Sequence, residues 1–152
     1  MAKCILVLED NNDRRAAMET WLADRLHMYE AVLTDDPGEC IGFIRKCRDN
    51  ILAVSLDHDL HERPDESTTL TGMIVVDYLV EIPPEFPVLL HTSNRPDGER
   101  MRSRLTRSGW SVDWVTPFDD TNWVGLSWYP ALKRAIRKTA RREPPATVDD
   151  RD

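Results

Sequence analysis

Residues 52–60 read Leu52-Ala53-Val54-Ser55-Leu56-Asp57-His58-Asp59-Leu60. An apolar run of strand length ends abruptly on an imidazole with a carboxylate on either side. A short continuous apolar run of this kind fits a strand buried on both faces of a parallel sheet. In open parallel sheets ligands bind just beyond the carboxyl ends of the strands, where this polar cluster falls. Two more stretches have the same form. Pro87-Val88-Leu89-Leu90 runs into His91-Thr92-Ser93-Asn94, and the apolar run from Lys3 to Leu8 runs into Glu9-Asp10. Adjacent strands lie about 4.8 Å apart, so on neighbouring strands these three ends bring carboxylates, imidazoles and hydroxyls within on the order of 10 Å.

Helical spacing fills the intervals. Met18, Trp21, Leu22 and Leu26 recur three and four residues apart after a start that Asp13 or a neighbouring Asn can cap. Asp36-Pro37 opens a second helix with Cys40, Phe43, Ile44 and Cys47 inward, ended at Asn50. A third carries Ile74, Val75, Tyr78 and Leu79, a fourth opens at Pro96 with Met101 and Leu105 buried, and a last one turns Leu132, Ala135 and Ile136 inward. Glu30–Leu33 and Trp110–Val115 supply the second and fifth strands. Five alternating strands and helices imply right-handed crossovers and an α/β, flavodoxin-like parallel sheet of order 2-1-3-4-5 with helices on both faces. That order makes strands one, three and four consecutive. The domain is expected over residues 1–142, with a disordered polar tail over 143–152. The polar loop from Asp57 to Thr69 is long enough to be functional or mobile, and His61 within it is a minor candidate.

Composition sets limits. The chain has 152 residues, 41% hydrophobic and 31% charged, enough for one core. Its apolar runs are too short to span a bilayer, and the N-terminus reads as a first strand rather than a signal peptide, so a cytoplasmic location is expected. Cys4, Cys40 and Cys47 are odd in number and widely spaced, which favours buried thiols over a disulfide framework or a zinc site. A net charge of −7 opposes strong nonspecific nucleic-acid binding. The basic runs at Arg95, Arg100, Arg102, Arg104 and Arg107, and from Lys133 to Arg142, read as solvated helix faces.

An imidazole titrates near neutrality, so His58 and His91 can share acid/base work on a phosphodiester, with Asp57 or Asp59 fixing the tautomer. Arg14, in the first turn after Glu9-Asp10-Asn11-Asn12, can hold a phosphate. Thr92, Ser93 and Asn94 offer further groups to the substrate. That reading requires no cofactor. Glu9, Asp10 and Asp57 also form an oxygen set suited to Mg²⁺, which gives a metal-dependent alternative. Trp123, Trp128 and Tyr129 fall on the mouth side and could stack a nucleobase, although aromatics placed there more often close the core.

Together, Leu6-Val7-Leu8-Glu9-Asp10-Asn11 with Arg14, then Leu56-Asp57-His58-Asp59-Leu60, Thr71-Gly72, and His91-Thr92-Ser93-Asn94 followed by Gly98 and Met101 resemble the cyclic-phosphate-processing receiver-like domain family, a relative of response-regulator receivers. The likeness runs from Lys3 to about Arg142. A receiver carries a lysine followed by proline after its fifth strand, whereas this chain has Thr116-Pro117. A glycine expected soon after Asp-His-Asp-Leu is replaced by His61-Glu62-Arg63-Pro64. The resemblance implies a receiver fold whose phosphoacceptor pocket has become a two-histidine site acting on cyclic phosphates of nucleotides or RNA ends. The rival expectation from another class is a non-enzymatic receiver that binds a partner through its last helix.

Overall fold

The computed structural model describes residues 2–60 and 70–142. Its strands are β1 (Cys4–Leu8), β2 (Glu30–Thr34), β3 (Ile51–Leu56), β4 (Val88–His91) and β5 (Val112–Val115). The α-helices are α1 (Asn12–Arg25), α2 (Pro37–Cys47), α3 (Met73–Leu79), α4 (Arg95–Arg107) and α5 (Tyr129–Arg142). The sheet is parallel throughout, in the order β2-β1-β3-β4-β5 expected from the alternation of elements.

Successive side chains of a strand point to opposite faces, and that pleat sorts the core into two layers. Leu6, Leu8, Val54, Leu56, Val88 and Leu90 pack with Cys40 and Ile44 of α2, Val75, Val76 and Leu79 of α3, and Met101 and Leu105 of α4. Ile5, Val7, Ala53 and Leu89 face the other way, against Met18 and Leu22 of α1 and Ala131 and Leu132 of α5. Apolar residues at both phases of each central strand are therefore buried, which is why these strands read as unbroken apolar runs.

Helix ends follow local chemistry. Asn11 caps α1, its side chain accepting the Arg14 N–H, and Asp36 caps α2 by accepting from Gly38 and Glu39. The fifth strand starts later than its apolar run suggests. Trp110 belongs to the end of α4, where Gly109 adopts φ +90 and the Trp110 N–H returns to the Leu105 carbonyl. Its indole then donates to the Leu79 carbonyl, so this residue packs as a helix stop and not as a strand. Between β5 and α5 a π-helical turn, Val124–Trp128, precedes α5.

The tail over 143–152 and most of the Asp57–Thr69 loop, His61 included, lie outside the described residues. Within the described residues no helix is long and apolar enough to cross a membrane. The three cysteines are free; Cys4 and Cys40 are buried and Cys47 is half-buried. Burial pushes the Cys40 thiol up to about 12, which leaves it unreactive.

Candidate active site

Register builds the site. Leu8 pairs with Leu56, and Leu56 with Leu90. The next residue of each strand, Glu9, Asp57 and His91, therefore forms one row across the carboxyl end of the sheet, on the α1/α5 side. Glu9 and His91 are completely buried and Asp57 is 4% exposed. One ligand atom from each lies within 4.8 Å of the others, about one strand spacing.

Ser55 anchors this row from the same phase of β3. Its hydroxyl donates to the Leu89 carbonyl at 3.0 Å and accepts the Trp128 indole N–H at 2.9 Å. The same oxygen lies 2.7 Å from His91 Nδ1, and which of the two donates follows the tautomer of the ring. Nε2 faces Glu9 Oε1 at 3.1 Å. These two are the buried side-chain polar atoms without a hydrogen-bond partner among the described residues. A proton on Nε2, or a cation between the two, would satisfy both atoms.

Charge in the row is uneven. Burial alone pushes the Glu9 carboxyl up, but the His91 imidazole and the Asn11 N–H bonded to Oε2 at 3.0 Å bring it below the ordinary range. Asp57 goes the other way. Burial raises its carboxyl to about 6, His91 offsets part of that, and the neighbouring Glu9 charge adds to it. Arg14 Nη1 stands 3.9 Å from Glu9 Oε1 and 3.9 Å from Asp57 Oδ2, while its guanidinium lies over the Trp123 ring. The Asn11 cap sets the start of α1, and with it this arginine, at the mouth of the row.

His58, one residue past Asp57, enters a second cluster facing α4. Its Nδ1 is 2.7 Å from Asp59 Oδ1 and its Nε2 is 3.6 Å from Asp97 Oδ2. Burial raises the Asp59 carboxyl, but the His58 and Asn94 hydrogen bonds outweigh it and hold the group below its usual range. Asn94 caps α4, accepting the Asp97 N–H, and its amide donates to Asp59 and Asp97 at 3.0 and 2.8 Å. Asn94 is thus engaged in orienting carboxylates. The turn closes on Gly72, whose N–H donates to the His58 carbonyl at 2.8 Å. A Cβ there would lie 1.9 Å from the Asp57 carbonyl oxygen, so no other residue fits without movement.

A cavity of about 270 Å³ opens over both clusters. It is lined by Asp10, Asn11 and Arg14 from the β1–α1 turn, Asp57, Asp59 and Leu60 beyond β3, and Thr92 and Ser93 beyond β4. Thr92 Oγ1 accepts the Asn94 N–H at 3.1 Å, which leaves its own proton to donate. Neither imidazole lines the cavity; His58 bonds Asp59, which does, and His91 stands within 4.8 Å of Asp57, which does. Trp123 and Trp128 are fully buried and Tyr129 is nearly so, its ring 5.0 Å from that of Trp21. The π-helical turn tucks them under the sheet end, so they close the core and are unavailable to stack a base. Ser55 and Asp97 are the site residues that the motifs did not single out. Each left a signal: a lone hydroxyl inside an apolar strand, and an acid three residues after a capping Asn.

A parallel 2-1-3-4-5 sheet with an acidic row at its carboxyl end defines a receiver-type domain. The sequence matches the family model of the cyclic-phosphate processing receiver domain over residues 4–107, and the chain belongs to that family. Solved structures with the same fold include the response regulator domain of Thermotoga maritima CheB, at 18% identity, with 95% of this chain and 100% of that one covered and a TM-score of 0.66. The signal receiver domain of an HD domain-containing protein from Pseudomonas fluorescens follows at 14% identity, 93% and 100% coverage and a TM-score of 0.67. A receiver domain from Rhodospirillum rubrum aligns at 20% identity, 95% and 98% coverage and a TM-score of 0.60. A search of curated proteins found no match.

Proposed function

We propose that this protein is a phosphoesterase that opens cyclic phosphates on nucleotides or RNA ends by acid/base catalysis dependent on His58 and His91. One observation carries the reading: two carboxylates lining the same cavity each have a histidine behind them, His58 Nδ1 2.7 Å from Asp59 and a ring nitrogen of His91 within 4.8 Å of an Asp57 oxygen. Arg14 meets the phosphate charge there, and the Thr92 and Ser93 hydroxyls meet its remaining oxygens. Asp59, which lines the cavity, takes a proton from the attacking water and passes it to His58 Nδ1, 2.7 Å away. The Asp57 carboxyl, protonated up to about pH 6, gives its proton to the departing ribose oxygen as that P–O bond breaks. The phosphomonoester leaves, and the proton held by His58 returns to Asp57 through solvent. His91 stands behind Asp57 and Glu9 and sets where the proton of the row rests. No cofactor enters these steps.

Turnover of a panel of 2′,3′-cyclic nucleotides and cyclic-phosphate-ended oligoribonucleotides tests this. His58→Ala and His91→Ala should each lower the rate by on the order of 10²–10⁴, and the double variant little further, because groups acting as a unit are not additive. Near-wild-type turnover in both single variants would remove the two-histidine mechanism. A wild-type protein inert across the whole panel would favour the receiver-type interaction module instead.

The opposed Glu9 Oε1 and His91 Nε2 favour a second reading, in which a divalent ion joins them with Asp57. This donor set departs from the all-carboxylate Glu9, Asp10 and Asp57 set suited to Mg²⁺. An imidazole among the ligands fits Mn²⁺ or Zn²⁺ better, and Ser55 holding the other ring nitrogen is the usual support for a ligating histidine. Such an ion supplies charge stabilisation at the phosphoryl group. Chelator that abolishes turnover, with recovery on adding Mn²⁺, selects this reading; unchanged turnover rejects it.

A further inference from the structure

A second cavity, of about 710 Å³, shares lining residues with the first. Asn11 and Arg14 line both, so a ligand held at Arg14 can extend from one into the other. The new walls are Asp13 of α1 and the β5–α5 loop with Phe118, Asp119, Asp120 and Thr121. Phe118 is 49% exposed and stands among carboxylates, an apolar ring presented to a polar recess. The loop that presents it is fixed. Asp119 and Asp120 both take left-handed backbone angles, φ 50 and 55, a conformation that costs a non-glycine residue on the order of 1 kcal/mol or more and persists only where the surroundings impose it. The Asn122 N–H and side-chain amide both bond Asp119, and the Trp123 indole donates to the Asp120 carbonyl at 2.9 Å.

We infer that this recess is a nucleobase site: the base of a substrate whose cyclic phosphate sits at Arg14 stacks on Phe118, its amino and imino hydrogens facing Asp13, Asp119 and Asp120. The inference rests on the phosphoesterase reading and adds to it the place where the base of its nucleotide or RNA-end substrate is held. An aromatic face takes any base, while the acidic rim repels a second phosphate and accepts hydrogen bonds from base edges. The volume is in the range of pockets that hold ligands of this size.

Titration calorimetry with the four nucleoside 3′-monophosphates and with methyl riboside 3-phosphate, which lacks a base, tests this without requiring turnover. At least one nucleotide should bind tenfold or more tightly than the base-free compound. Phe118→Ala should erase that difference, a loss on the order of 5- to 100-fold, and Phe118→Tyr should restore it to within about threefold, stacking being tolerant of the ring. Equal affinity with and without a base, or a preference that survives Phe118→Ala, overturns the site. If nucleotides bind as expected while no cyclic phosphate is opened, the reaction fails and the base site stands. Cyclic phosphates opened without any preference for a base give the reverse.

Discussion

His58 and His91 belong to different sides of the sheet because His91 lies in the shared row and His58 is one residue out of phase with it. Glu9, Asp57 and His91 align through Leu8, Leu56 and Leu90, whereas His58 alternates to the α4 side and meets Asp97. The row carries a measurable consequence at Asp57. Its carboxyl ordinarily titrates at 3.8 and is raised here to about 6, first by burial. Between those values the folded chain holds a proton that the unfolded chain has lost, so stability falls as pH rises through that window. Above it the buried charge costs on the order of 2–3 kcal/mol. Asp57→Asn, which has no charge to bury, should match the wild type near pH 4 and exceed it at pH 7 in urea unfolding with chelator present. Parallel curves for the two proteins across pH 4–7.5 would show that this carboxyl is not protonated in the fold. The polar residues at the strand ends were legible in the sequence, because nothing apolar gains from such a cluster. Their division into two clusters was not, since it depends on register, and a shift between Cys4 and Ile5 moves the β1–β3 pairing by a residue that no local pattern announces.

The turn between β3 and α3 and the entry to α5 show how single elements hold the site. Gly72 brings the N-terminus of α3 against the Asp57 and His58 backbone, with no room for a methyl group. Gly72→Ala should therefore push α3 away and cost about 1–3 kcal/mol. The check is a lower urea midpoint at unchanged slope, together with a weakened interaction at His58 seen as an altered imidazole NMR signal. An Ala variant as stable as the parent would mean that the helix moves freely. Helices were legible from the 3.6-residue period and strands from unbroken apolar runs, and caps from Asp36 and the Asn beside Asp13; Asn94, read as a substrate group, is the cap of α4. The π-helical turn at Val124–Trp128 was not legible, because packing makes it: the Trp128 indole reaches Ser55 across the sheet, and no propensity encodes that contact. For the same reason Trp123 and Trp128 looked available to a ligand and are not.

At the scale of the whole molecule, the fold was legible because five alternating units and right-handed crossovers leave few arrangements. The sheet order of a receiver comes with a cation exchanged. Thr116-Pro117 stands where a receiver places lysine and proline, and Thr116 lines a separate recess beside Trp114 and Arg102. Positive charge reaches Glu9 and Asp57 from α1 through Arg14 instead. Thr116 carries no charge to neutralise a phosphoryl group on Asp57. Incubation with acetyl phosphate and Mg²⁺ should leave the intact mass unchanged. A stable adduct that disappears in Asp57→Asn would return the protein to conventional receiver signalling.

The stacking of Trp123 on His91, with ring centroids 6.0 Å apart and planes at 27°, gives the molecule an optical property. An imidazolium quenches a nearby indole more strongly than a neutral ring does, so the emission of Trp123 reports the charge of the ring beneath it. Trp128, bonded to the serine that holds that ring, lies in the same circuit. Proton movement in the buried row can therefore be followed by light in the unlabelled protein, and His91→Gln supplies the trace in which that signal is silent.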